Sequence, residues 1–128
     1  MTSSKAEMIR AIFAAYMSND RKVVEDALTD DFRFTSPYDD EIDKATYFER
    51  CWRNSDWIER HELEKIFVDG NEAFVTYRCV AKGGKNFRNT EFFTFEGDGV
   101  SRIDVYFGAT YENGAFEAMR SRPQLLPK

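Results

Sequence analysis

The sequence predicts an α+β domain in which helices come first along the chain and an antiparallel sheet follows. Three observations predict this order. Apolar residues recur at helical spacing in the first part of the chain, apolar and polar residues alternate in the second part, and glycine-containing turn signals separate the later segments at regular intervals. Short connections favour antiparallel neighbours. This pattern is typical of helices packed on one face of a curved meander sheet.

Three helices are predicted before the sheet. Ser4 and Glu7 have the spacing of a capping box, in which each side chain satisfies a backbone amide at the helix start. A second short helix is predicted after Asn19 or Asp20, and Asp43 is predicted to cap a third. The first helix is the clearest, because its apolar residues form one stripe made of Ile9, Ile12, Phe13, Tyr16 and Met17.

The strands follow from alternation and from turn chemistry. Phe32 and Phe34 alternate with polar neighbours in a short strand that Pro37 ends. Hairpin signals occur at Asp69-Gly70-Asn71, Gly83-Gly84 and Gly97-Asp98-Gly99. They separate four strand candidates at about 60–68, 72–82, 86–96 and 100–108. We expect one domain over residues 1–128, with a peripheral tail from about residue 112.

Composition excludes several classes of function. The net charge is −5 with acids and bases interspersed, so we expect neither nucleic acid nor a membrane as a partner. Two cysteines are too few for a disulfide framework, no run is long enough to span a bilayer, and the predicted location is cytoplasmic. There is no phosphate-binding loop, dinucleotide fingerprint or zinc spacing, so we expect no cofactor and no metal.

Four stretches together resemble the SnoaL-like branch of the nuclear transport factor 2-like (NTF2-like) superfamily. They lie within about residues 5–108 and read ALTDDFRFTSPYDDEID, FERCW, VDGNEAFVTY and RNTEFFTFEGDGVSRIDVYFG. The resemblance implies a cone-shaped (cystatin-like) fold, in which three helices pack on a bent antiparallel sheet that encloses a pocket. It also implies a hydrophobic small-molecule ligand and a homodimer formed through the outer face of the sheet. The superfamily includes isomerases, dehydratases, cyclases and members without catalysis, so the fold alone does not define the activity.

The ketosteroid isomerases of this superfamily allow a comparison residue by residue. The resemblance places Ser36 at the position of their general base and Ile12 at the position of their oxyanion-stabilising phenol. It places Glu91 at the position of their protonated carboxylic acid, and Trp52 at that of a supporting tyrosine. Because the base and the phenol are missing, the resemblance does not imply ketosteroid isomerisation by that route. An acid in the pocket is the feature that is kept.

The candidate catalytic residues are Glu91, Asp40, Asp39 and His61. Alternation puts Glu91 on one strand face with Phe93 and Phe95, where desolvation would raise its pKa and prepare it as an acid or hydrogen-bond donor. The alternative is a solvated or ion-paired glutamate on a strand facing the other way. Asp39 and Asp40 either reach a ligand from a loop or only form a solvated turn. Charged neighbours favour an exposed position for His61.

Aromatic residues are the candidate walls of a ligand pocket, since a small core does not need the 16% of Phe, Tyr and Trp present here. The candidate ligand-binding residues are Tyr16, Tyr38, Trp52, Tyr77 and Phe93. Two hypotheses remain open. The protein is either a cofactor-free isomerase, dehydratase or cyclase acting on a hydrophobic carbonyl compound, or a non-catalytic ligand-binding or dimeric interaction module.

Overall fold

The computed structural model describes residues 4–52 and 57–117. Its helices are α1 (Lys5–Ser18), α2 (Arg21–Ala27) and α3 (Lys44–Cys51). Its strands are β1 (Leu28–Thr35), β2 (Ile42–Asp43), β3 (Ile58–Asp69), β4 (Glu72–Ala81), β5 (Lys85–Glu96), β6 (Gly99–Glu112) and β7 (Ala115–Glu117). In the described part of the chain, no helix has both the length and the apolar character needed to cross a membrane.

The ends of α1 and α3 follow the predicted capping chemistry, whereas Asp20 at the start of α2 makes no side-chain capping hydrogen bond. Glu7 N donates to Ser4 Oγ at 3.1 Å and Ser4 N donates to Glu7 Oε1 at 2.9 Å, which forms the capping box of α1. Asn19 ends α1 in the left-handed conformation with φ 61°. Thr46 N donates to Asp43 Oδ1 at 2.9 Å, so Asp43 caps α3 as predicted.

The sheet is mixed rather than purely antiparallel. Its strand order is β2-β1-β6-β5-β4-β3, with β7 paired to β6. The predicted meander is formed by the antiparallel strands β3, β4, β5 and β6, whereas β1 pairs with β6 in parallel. The parallel strands β1 and β6 are about seventy positions apart in the chain. Local turn signals do not specify a pairing over such a distance. The β6–β7 hairpin is likewise not predicted, and the tail at 118–128 lies outside the described residues.

One face of the sheet packs on the helices. Val75, Tyr77 and Cys79 of β4, Phe93 and Phe95 of β5, and Ile103 and Val105 of β6 are buried there. The ladder between β5 and β6 shifts register between Phe87 and Asn89. At this bulge Gly108 lies so close to β5 that a Cβ atom would be 2.4 Å from the carbonyl oxygen of Arg88, so the close approach requires glycine.

Candidate active site

Glu91 lies on the inner face of the sheet with Phe93 and Phe95, which is one of the two orientations that the alternation left open. Its neighbours two and four positions along β5, Phe93 and Phe95, are buried. In the ladders it is paired with Val75 of β4 on one side and Val105 of β6 on the other, and both valines are buried. The carboxyl group is therefore surrounded by apolar side chains and is itself only partly accessible.

A chain of hydrogen bonds joins Glu91 to two other side chains of the same face. The Tyr77 hydroxyl donates to Glu91 Oε2 at 2.6 Å, and Asn89 Nδ2 donates to the Tyr77 hydroxyl oxygen at 3.1 Å. Tyr77 lies opposite Asn89 in the β4–β5 ladder, so the strand register itself brings these groups together. Tyr77 and Asn89 are both buried.

Desolvation dominates the ionisation of Glu91. Burial raises the pKa of this carboxyl to about 7, and the hydrogen bond from Tyr77 opposes the rise only in part. Burial, followed by the nearby Glu91 charge, raises the pKa of the Tyr77 hydroxyl well above its ordinary value. The phenol therefore stays protonated, and near neutral pH the carboxyl populates both its acid and its base form.

His61 belongs to this group, and the expectation that it is exposed is wrong. Its ring packs edge-on against Phe13 and Tyr77, with centroids 5.3 and 5.2 Å away, and lies 5.8 Å from that of Tyr16. Burial lowers the pKa of its imidazole to about 4, so the ring is neutral near pH 7. The prediction relied on the charged neighbours of His61 in the sequence. Alternation places these neighbours on the other side of β3, and His61 pairs with buried Cys79.

The predicted aromatic walls occupy several positions around this group. Tyr77 is part of the hydrogen-bonded chain and Phe93 is fully buried beside Glu91. The Tyr16 hydroxyl donates to the backbone oxygen of Cys51 at 2.8 Å. Trp52 packs edge-on against Tyr16, and its indole Nε1 donates to Asn19 Oδ1 at 3.0 Å. The polar atoms of Tyr16 and Trp52 are thus engaged between α1 and α3.

Tyr38 packs against β6, the strand that lies beside β5 in the sheet. Its ring packs against that of Phe107, with centroids 5.3 Å apart. Phe107 lies opposite Asn89 in the β5–β6 ladder and is 36% exposed. The row Tyr77, Asn89 and Phe107 therefore runs across three strands from the buried part of the inner face toward solvent.

The acidic loop contributes an ion pair rather than a second acid. Asp39 is only 7% exposed, and its Oδ1 lies 2.9 Å from Arg50 Nη2 of α3. Its backbone exchanges hydrogen bonds with that of Ser36, which makes a tight turn. Asp40 is exposed. Neither aspartate contacts Glu91, Tyr77 or His61 among the described contacts, so the structure does not bring the loop acids together with Glu91.

Sequence reasoning missed three residues of this region. Asn89 could have been found, because it lies two positions before Glu91 and alternation puts both on one face. Phe13 lies on the predicted stripe of α1, but nothing in the sequence indicates that its ring contacts Tyr77 at 4.8 Å. Nothing in the sequence around Arg50 indicates its ion pair with Asp39, since that pair depends on how α3 packs.

Among the described residues there is no cluster of metal ligands, and the Cys79 thiol is not activated. Within residues 4–52 and 57–117, no three His, Cys, Asp or Glu side chains are grouped as a metal ion would require. Burial raises the pKa of the Cys79 thiol to about 12, so it is not an activated nucleophile.

Comparison with known proteins identifies a family and a fold. A family model described as the SnoaL-like domain matches residues 9–103. No curated protein matches the chain. Among solved structures, the chain is similar to an NTF2-like protein of unknown function from Cytophaga hutchinsonii, with 15% identity and a TM-score of 0.69 over 84% of this chain and 92% of that one.

Two further solved structures carry names that suggest an activity. One is a candidate ketosteroid isomerase from Kribbella flavida, with 20% identity and a TM-score of 0.67 over 94% of this chain and 92% of that one. The other is a candidate polyketide cyclase from Sinorhizobium meliloti, with 18% identity and a TM-score of 0.63 over 77% of this chain and 93% of that one. At these identities the likeness confirms the cone-shaped α+β fold and no more.

Proposed function

Because the chain belongs to the SnoaL-like domain family, whose model covers residues 9–103, we propose that it binds a hydrophobic carbonyl compound and catalyses a cofactor-free proton transfer on it. Isomerisation, dehydration and cyclisation of such compounds share one difficulty, the negative charge that develops on the carbonyl oxygen when the neighbouring carbon loses a proton. A donor positioned at that oxygen lowers the barrier. The structural relatives described as an isomerase and a cyclase support this reaction class.

The observation that carries the proposal is the state of Glu91. Tyr77 donates to Oε2, which leaves Oε1 to carry the acid proton and present it to a ligand. Burial brings the pKa of the carboxyl to about 7, so the acid form exists at neutral pH. Glu91 would donate to the carbonyl oxygen, and the surrounding aromatic rings would hold the apolar part of the ligand.

The partner base in this proposal is His61. Its ring is neutral near pH 7 and it contacts Tyr77, the residue that holds Glu91. Asp39 is a weaker candidate because it is paired with Arg50, and Asp40 because it is exposed. The comparison with ketosteroid isomerases also supports a base other than theirs, since the position of their general base is occupied here by Ser36.

That same Ser36 favours a second function, a non-catalytic ligand carrier, because a hydroxyl cannot replace a carboxylate base. The two functions are separated by hydrogen exchange on a simple ketone. With 4-phenylcyclohexanone in heavy water, a proton-transfer enzyme accelerates deuterium uptake at the carbons beside the carbonyl, and a carrier binds the ketone without that acceleration. Proton NMR follows the exchange and calorimetric titration follows the binding.

Glu91→Gln tests the role of the acid directly. The amide keeps the shape of the side chain and most of its hydrogen bonds, so we expect folding to be retained and exchange to fall by about 100-fold. Glu96→Gln is the matched control, since Glu96 is exposed on the opposite face of the same strand. If Glu91→Gln lowered stability and left binding and exchange unchanged, Glu91 would be a structural partner of Tyr77.

A further inference from the structure

The amide of Asn89 is an unexplained polar group on the inner face of the sheet. The residue is only 6% exposed. Its Nδ2 is used by Tyr77, while its Oδ1 is buried and has no hydrogen-bond partner among the described residues. Native proteins rarely leave a buried acceptor unpaired, because the group loses its hydrogen bonds to water and gains none in return.

The hydrogen bonds around Tyr77 fix which end of the amide is unpaired. A tyrosine hydroxyl has one hydrogen, and Tyr77 donates it to Glu91 at 2.6 Å. The atom of Asn89 that lies 3.1 Å from the Tyr77 oxygen must then be a donor, so it is the nitrogen. The carbonyl oxygen of the amide is therefore the end that has no partner among the described residues, and it can accept a hydrogen bond.

The position of Asn89 puts this acceptor beside the proposed acid. Asn89 and Glu91 are two positions apart on one face of β5 and both bond to the Tyr77 hydroxyl. On the other side Asn89 lies opposite Phe107, which is partly exposed and packs against Tyr38. An acid and an unpaired acceptor thus lie side by side between a buried aromatic group and a more accessible one.

We propose that Asn89 selects ligands that carry a hydroxyl group in addition to the carbonyl held by Glu91, so that the substrate class is hydroxyketones. This inference rests on the proposed function and deepens it. The ligand hydroxyl donates to Asn89 Oδ1 while the ligand carbonyl accepts from Glu91. A ketone without the hydroxyl leaves the buried acceptor unpaired and binds more weakly, since sites built to hydrogen-bond a hydroxyl discriminate strongly against analogues that lack it.

The test compares 4-phenylcyclohexanone with 4-hydroxy-4-phenylcyclohexanone, which differ only by the hydroxyl group. Calorimetric titration of the full chain at pH 7 should give an affinity for the hydroxyketone about 10-fold or more above that for the plain ketone. Equal affinities would overturn the selection by Asn89 and leave the proposed function standing. Failure of both compounds to bind would count against both proposals.

Variants assign the preference to one atom. Asn89→Leu removes the acceptor and keeps a side chain of similar size, so the hydroxyketone should no longer bind more tightly than the plain ketone. The measure is the ratio of these two affinities, because a general loosening of the fold affects both compounds alike. Protonated Asn89→Asp keeps a donor toward the Tyr77 oxygen and an acceptor oxygen on the other side, so it should keep the preference at mildly acidic pH. This provides a readout even if Asn89→Leu does not fold. Asn86→Leu is the control, because Asn86 is on the same strand but on the opposite face. Persistence of the preference in Asn89→Leu would overturn the inference.

Discussion

Burial shifts the pKa of Glu91 and the pKa of His61 in opposite directions. Burial disfavours the charged form of each, so the pKa of the carboxyl rises to about 7 and that of the imidazole falls to about 4. At mildly acidic pH both side chains are therefore neutral in the folded protein. Both side chains contact Tyr77, Glu91 by a hydrogen bond and His61 by ring packing, so under the proposed function they would be the acid and the base.

This pair predicts a specific dependence of stability on pH. The folded protein holds the Glu91 proton more tightly than the unfolded chain, so that residue lowers stability as the pH rises from 4.5 to about 7. His61 acts oppositely: the unfolded chain takes up its proton first, so stability increases as the pH rises from about 4 to 6.5. Each contribution amounts to at most about 3 kcal/mol, and the two offset each other between pH 4.5 and 6.5.

Urea unfolding of variants from pH 4 to 7.5 separates the two contributions. Relative to the wild-type protein, Glu91→Gln should gain stability steadily as the pH rises through 4.5 to 7, because the cost of ionising Glu91 is gone. His61→Phe should lose stability relative to the wild-type protein as the pH rises from 4 to 6.5, because the wild-type protein gains stability over this range and the variant does not. Difference curves that are flat with pH would mean that both groups titrate as they do in water.

At the level of elements, the loop that joins β1 to α3 and includes the short strand β2 illustrates how similar acids take different roles. Asp39, which is buried, pairs with the half-buried Arg50, and Asp43 caps α3. Glu41, with φ 51°, places its carboxylate 2.9 Å from Arg102 of β6. Hydrogen bonds donated by Thr46 lower the pKa of Asp43, and the Arg102 guanidinium lowers that of Glu41. The loop thus ties β1, α3 and β6 together.

Asp39→Asn should be the costly change in this loop. It leaves the guanidinium of Arg50 without its buried counter-charge, and we expect a loss of about 2 kcal/mol in the free energy of unfolding. Asp40→Asn, one position later and exposed, should have no measurable effect and serves as the control. If Asp39→Asn instead reduced ketone exchange at unchanged stability, Asp39 would belong to the catalytic group.

Replacing Glu41 and Asp43 together by alanine should have a small effect. The change removes one helix cap and one exposed ion pair, so we expect the melting temperature to fall by only a few degrees. Circular dichroism melts would detect this. Loss of folding in the double variant would show that these acids are required partners of the fold rather than solvated ones.

At the level of the whole molecule, the outer face of the sheet carries aromatic side chains that the helices do not cover. Phe67, Phe74 and Phe92 are neighbours in the ladders of β3, β4 and β5. Phe67 is 69% exposed, Phe74 is 48% exposed, and Tyr106 of β6 is 59% exposed. Exposed aromatic patches of this kind mark interaction surfaces. We propose that this face is where two copies of the chain associate.

Light scattering at micromolar concentration should then give about twice the chain mass of 15.0 kDa. Phe74→Glu places a charge in the centre of the patch and should shift the protein to the monomer. Val23→Glu is the matched control, because Val23 is an exposed apolar residue on α2 and is not part of this patch. A wild-type mass of 15.0 kDa would contradict the dimer.

The sequence by itself determined the features that neighbouring residues encode. These features are the capping box of α1, the cap of α3, the four strands of the meander and the family, and they are confirmed. Alternation also grouped Glu91 with Phe93 and Phe95 on one side of β5, but it left open which side faces the helices. Helical and strand periodicity are local properties, because each fixes the direction of a side chain relative to its own backbone.

Only the tertiary structure decided which side chains meet. The bond from Tyr77 to Glu91 depends on the register between β4 and β5, and the pairing of Asp39 with Arg50 depends on the position of α3. His61 looks exposed in the sequence and is enclosed by rings from α1 and β4. These contacts join residues of different structural elements. They form only when whole elements pack, since the packed surroundings determine both the neighbours of a group and the solvent left around it.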